Sequence, residues 1–137
     1  MDKNKFINPE YKPDEHTCKE IENLHKEGES LSGVQLKFAD MKNAKLVNAD
    51  LSNSDLTRAD FSGASMYGVN LEGANLFKTN FDSTNLKAAN MKNCNMLGAD
   101  FSNTKLSNVE WGKENKVINE IEAEEALASG DINAAKE

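Results

Sequence analysis

From residue 34 to residue 113 a large apolar residue returns at every fifth position without a slip: Leu36, Met41, Leu46, Leu51, Leu56, Phe61, Met66, Leu71, Leu76, Phe81, Leu86, Met91, Met96, Phe101, Leu106 and Trp111. Two residues before each stands a small one, from Val34, Ala39 and Ala44 through Thr79, Thr84 and Cys94 to Val109. The position between them is Asp or Asn in 11 of 16 cases. A helix needs apolar recurrence at three and four residues and a long strand needs alternation at two, so a strict period of five fits neither. Within each unit, however, the small and large residues are two apart. In extended chain both point to the same side and the Asp or Asn between them points outward. The two residues that follow must then turn the chain. Asn43, Asn48, Asn53, Gly63, Gly68, Gly73, Asn93, Gly98, Asn103 and Asn108 fill the second turn position, and Asn and Gly are the residues that tolerate corner conformations. The pattern predicts short extended sides joined by corners, coiling about an apolar axis.

The unit Ala-(Asp/Asn)-Leu-x-x, as in Ala49-Asp50-Leu51-Ser52-Asn53 and Ala74-Asn75-Leu76-Phe77-Lys78, resembles the pentapeptide-repeat family. The resemblance covers 80 of the 137 residues. It implies an all-β solenoid, a right-handed quadrilateral β-helix with four pentapeptides to a coil. Residues 34–113 would then form about four coils, roughly 19 Å tall at the spacing of neighbouring strands. Residues twenty apart fall into vertical columns, one of which is Met41, Phe61, Phe81 and Phe101. Glu29-Ser30-Leu31-Ser32-Gly33 keeps the register and reads as a degenerate first unit with Glu29 at the small inward position.

A solenoid exposes its core at both ends and needs caps. Within the N-terminal segment 1–33, a helix is expected from about Asp14 to Glu27, with Asp14 as N-cap, Gly28 as terminator and Cys18, Ile21 and Leu24 as the stripe laid over the first coil. In the C-terminal segment 114–137, Val117, Ile118, Ile121, Ala126, Leu127 and Ala128 predict a second amphipathic helix from about Asn115 to Ser129. It either caps the last coil or pairs with a copy of itself as a homodimer. Residues 126–135 also bear a weak likeness to the helix-turn-helix joint of a tetratricopeptide repeat; a helical terminus with a polar tail is the simpler reading.

Composition narrows the function. Mean hydropathy is −0.67 and no stretch approaches the roughly 18 apolar residues of a membrane span. Residues 1–7 have no apolar signal region, and two cysteines without one read as reduced thiols. The expectation is a cytoplasmic protein with no membrane partner. The net charge of −7 argues against direct nucleic-acid binding. No nucleophilic triad, phosphate-cradling loop or zinc-type spacing occurs. His16 and His25 lie nine residues apart on the expected helix, on opposite faces, so with Cys18 they make no metal site. Cys94 replaces Ala in an inward column and reads as inert core. No catalytic residue, cofactor or metal is expected.

The outer surface remains. Phe77 and Leu97 share one outward column with Thr57, Phe38 lies near its lower end, and Val47 and Tyr67 share another. Phe38, Tyr67, Phe77 and Leu97 are therefore the candidate partner-binding surface. Asp40, Asp60 and Asp100, with Asp82 adjacent, form a candidate acidic face. The resemblance implies a specific use for such a face, because long acidic dimeric members of the family bind DNA gyrase and related topoisomerases by resembling duplex DNA. In this chain residues 34–113 carry eight acids and nine bases, and the acidity lies in the two ends. The leading expectation is a non-enzymatic interaction or scaffold module with an unidentified protein partner; the alternative is a DNA-mimicking modulator of gyrase.

Overall fold

A computed structural model describes residues 2–112. The coils wind with an offset of twenty residues per turn, shown by 12 parallel bridges running from Gln35 with Asp55 to Asn90 with Glu110. Each pentapeptide gives one bridge residue, the outward middle position. Its N–H donates to the small residue of the coil before (Asp55 to Val34, 3.0 Å), while the next N–H donates forward (Leu36 to Asp55, 2.8 Å). A third bond, Phe38 N–H to Thr57 carbonyl at 2.9 Å, ties the corners together. The corners are four-residue turns, most of them closed by a bond such as Ala39 N–H to Leu36 carbonyl at 3.0 Å, with a left-handed third residue as a type II turn requires.

The middle Asp or Asn explains itself at this level. All 11 accept, through Oδ1, the backbone N–H two residues on, at 2.8 to 3.2 Å, from Asp40 with Lys42 to Asp100 with Ser102. That N–H starts the corner and has no place in the ladders, so the side chain satisfies a donor that would otherwise depend on water.

The interior is filled by the two inward columns, and every large residue of the register is buried. Phe61, Phe81 and Phe101 stack at centroid separations of 5.8 and 5.6 Å, and Trp111 meets Phe101 edge-on at 6.4 Å. Where the small position is polar, its hydroxyl or thiol donates to the backbone carbonyl of a large residue of the preceding coil: Ser54 to Leu31, Thr79 to Leu56, Thr84 to Phe61, Thr104 to Phe81 and Cys94 to Leu71, at 2.6 to 3.2 Å. Burial pushes the Cys94 thiol up to about 12, so it stays protonated.

Two helices precede the coils, α1 (Asn4–Ile7) and α2 (Thr17–Lys26). The sequence pattern missed α1, whose Phe6 is fully buried, packs edge-on against Tyr11 at 4.9 Å and accepts the Gln35 N–H at 2.7 Å through its carbonyl. Helix α2 starts three residues later than expected. Asp14 is not its N-cap; its carboxylate accepts the His16 N–H at 2.8 Å and its own N–H donates to Thr17 Oγ1, so both are spent on the preceding turn. Gly28 does end the helix, left-handed at φ +83°, with Gly28 N–H bonded to His25 and Glu29 N–H to Leu24, the pairing of a Schellman motif. Ile21 and Leu24 join the core over the first coil. Glu22 accepts the Lys45 N–H at 2.7 Å and the His25 ring bonds the Val47 carbonyl at 2.7 Å, occupying two backbone groups of the open edge. Leu31 enters the ladder through Asp50 as the degenerate unit requires, but Glu29 is exposed rather than inward. The reason is that the chain is still leaving α2 there. The expected helix over 115–129, its homodimer pairing and the tail lie outside the described residues.

Candidate functional site

The four-sided register sorts the outward side chains onto faces. The first face, residues 34–38, 54–58, 74–78 and 94–98, carries Lys37, Arg58 and Lys78 against Asp55, a net of +2. The second carries Asp40, Asp60, Asp82 and Asp100 against Lys42, a net of −3. The third, opposite the first, carries Lys45, Lys87 and Lys105 and no acid. The near-neutral rod of the sequence reading therefore has strongly segregated faces, which only sorting by twenty reveals.

The candidate aromatic residues divide between these faces. Phe38, Phe77 and Leu97 come together on the first, whereas Tyr67, with Val47, lies on the third and does not join them. Phe38 is 71% exposed and Leu97 49%. Phe77 is only half-exposed, because two cations cover it: the Arg58 guanidinium lies 5.9 Å and the Lys78 ammonium 5.4 Å from its ring centre. Arg58 also lies 6.0 Å from the ring of Phe38, so it bridges the two aromatic rings. These distances are those of cation–π contacts. Lys37 is held by Asp55 at 3.4 Å, while among the described residues no carboxylate pairs with Arg58 or Lys78. The strap of residues 9–13, containing Pro9, Tyr11 and Pro13, runs beside Lys37 and Phe38 and leaves a cleft of about 380 Å³ between them.

Arg58 and Lys78 are the residues that sequence reasoning missed, although a signal for them existed. At the left-handed corner position the other corners hold Asn, Gly, Ser or Ala, but this corner holds Phe38, Arg58 and Lys78 at φ +62°, +58° and +54°. Bulky side chains there cost roughly 1–2 kcal/mol each.

The candidate acidic face exists as four aspartates, yet Asp40, Asp60 and Asp100 each spend one oxygen on the corner N–H, and Asp82 accepts from Ser83 and from Asn103 at 3.0 and 3.1 Å. His16 and His25 point to different neighbours, Glu15 and the Val47 carbonyl. Burial, with Glu22 and Asp40 nearby, pushes the Cys18 thiol up to about 11. Among the described residues no three metal-ligating groups converge and no helix is long and apolar enough to cross a membrane.

Comparison with known proteins agrees with the architecture. The family model described as pentapeptide repeats, eight copies long, matches residues 35–73 and again 70–108. Rfr23, a pentapeptide repeat protein of the cyanobacterium Cyanothece 51142, superposes with a TM-score of 0.62 at 32% identity over 64% of this chain and 59% of its own. HetL, a pentapeptide repeat protein of Nostoc sp. strain PCC 7120 involved in heterocyst differentiation regulation, gives 0.57 at 31% identity over 58% of this chain and 37% of its own. A third, alr5209 of Nostoc PCC 7120, gives 0.63 at 22% identity over 78% and 90% of the two chains. The chain thus spans about 59% of Rfr23 and 37% of HetL. No curated protein matches it by sequence. These neighbours make the solenoid a right-handed β-helix.

Proposed function

The chain belongs to the pentapeptide-repeat family, and from that premise we propose that it is a non-enzymatic interaction module, a rigid rod presenting its first face to a protein partner. One observation carries the reading: Phe38, Phe77 and Leu97 gather, with Arg58 and Lys78, on one corner of a rod whose interior is filled by its own side chains. A filled core leaves no interior site for a substrate, and a contiguous apolar and cationic patch is what a protein interface uses. HetL's described involvement in a regulatory process is compatible with this use, at the level of a partial likeness. In this reading α2 closes the N-terminal end, and the protein works in the cytoplasm with its two thiols unpaired.

The test is Phe77→Ser combined with Leu97→Ser. Both side chains lie outside the core, so stability should change by no more than about 1 kcal/mol, while capture of the partner from lysate should be lost. Equal capture by both proteins would refute the assignment.

A DNA-mimicking modulator of gyrase is the second reading, favoured by the four aspartates on one face. Asn substitutions at Asp40, Asp60 and Asp100 keep the corner acceptor and remove only charge. If the reading holds, the parent protein alters gyrase supercoiling at low salt and the variant does not; no effect of the parent at large molar excess would remove it. The single face of net −3, flanked by two basic faces, makes this the weaker reading.

A further inference from the structure

The corner column that runs from Phe38 through Arg58 to Lys78 differs from the other corners in three independent respects. Its left-handed positions carry large side chains where the turn favours Asn or Gly. The fold therefore bears a conformational cost there that its own packing does not explain, and such cost concentrates at functional sites. Its cationic heads have no carboxylate partner among the described residues: Lys37 is paired with Asp55, whereas the Arg58 guanidinium and the Lys78 ammonium lie over aromatic faces, the Lys78 stem resting on Gly98. Finally, the column ends at the cleft between Phe38 and the strap of residues 9–13, whose prolines and Tyr11 offer apolar surface.

Resting on the interaction reading above, we propose that this corner is the docking groove for an extended acidic peptide segment of the partner, anchored by one apolar or aromatic side chain in the cleft beside Phe38. Charge complementarity selects the occupant. A carboxylate-bearing strand laid along the corner meets Arg58 and Lys78, and Lys12 at the cleft, with Glu10 at the rim directing the anchor to be uncharged. The rod height of roughly 19 Å matches about six extended residues at roughly 3.3 Å each. A nucleic acid strand would also find cations and aromatic faces here. It would, however, carry its phosphates across the same corner onto the face holding Asp40, Asp60, Asp82 and Asp100, where a polyanion is repelled. A short peptide can keep its acids on one side.

The experiment is a fluorescence-anisotropy titration of the full chain against a labelled synthetic peptide of about six Asp and Glu residues preceded by one Phe, the length set by the rod. Binding is expected, weakening as salt rises from about 50 to 200 mM. Arg58→Glu with Lys78→Glu should weaken it by about tenfold or more, and Phe38→Asn should weaken it with no loss of stability. Lys45→Glu with Lys87→Glu, the same charge change on the opposite face, should leave it unchanged. No binding, equal weakening by the opposite-face variant, tighter binding of an oligothymidylate of matched charge, or tighter binding of a peptide of residues 114–137 would each overturn the proposal. If the acidic peptide does not bind while Phe77→Ser with Leu97→Ser still abolishes partner capture, the peptide chemistry is wrong and the interaction reading stands. If capture is also unaffected, that reading falls with it.

Discussion

A single phenylalanine shows how tightly the interior is specified. Phe81 lies between Phe61 and Phe101, with its neighbours' rings 5.8 and 5.6 Å away, and is fully buried. The rigid ladders cannot collapse around a void, so Phe81→Ala should cost about 3–5 kcal/mol by denaturant unfolding; a loss under about 1 kcal/mol would mean the ring is not in a packed column. The opposite sign is expected on the surface. Phe38 is left-handed and exposed, so Phe38→Asn should raise stability by about 1 kcal/mol in the same measurement, and a clear loss would show that Phe38 supports the fold. The thiols give a pH-dependent check. With pKa values pushed to about 11 and about 12, Cys18 and Cys94 are both protonated at neutral pH. Alkylation of folded Cys18 should accelerate only as pH rises towards 11, and Cys94 should react only on unfolding. Rapid labelling of both at neutral pH would contradict the burial.

Among the elements, the coils were legible in the sequence and the N-terminal segment was only partly so. The coils repeat one local solution, in which side-chain direction, the Asx bond and the left-handed corner are all set within five residues, and repetition makes the rule visible. Gly28 likewise announced the end of α2 through local chemistry. Phe6 and α1 did not, because four residues carry no period and their burial depends on where the first coil lies. Asp14 was misassigned because Asp serves an N-cap and a preceding turn equally well. Arg58 and Lys78 escaped for another reason: their significance appears only when residues twenty apart are placed in one column. The N-terminal edge offers its own test. Glu22 accepts the Lys45 N–H that the absence of a preceding coil leaves open, so Glu22→Ala should speed hydrogen exchange at the Lys45 amide by about tenfold, equivalent to one lost bond to a charged group. Unchanged exchange would show that another group covers that amide.

At the scale of the whole molecule, the solenoid converts a sequence of balanced charge into faces of opposite sign. Faces one and three are basic, the face between them is acidic, and only the first combines its charge with Phe38, Phe77 and Leu97. Because the ladders run unbroken from Gln35 to Glu110, a partner meets a preformed surface and loses little affinity to ordering it. The most direct test compares three immobilised baits at matched folded fraction: the parent chain, Phe77→Ser with Leu97→Ser on the first face, and Val47→Ser with Tyr67→Ser on the third. Bound proteins are quantified by mass spectrometry. A partner retained by the parent and the third-face variant, and lost by the first-face variant, is the expected result. Retention by the first-face variant at parental level would contradict the assignment of function to that face.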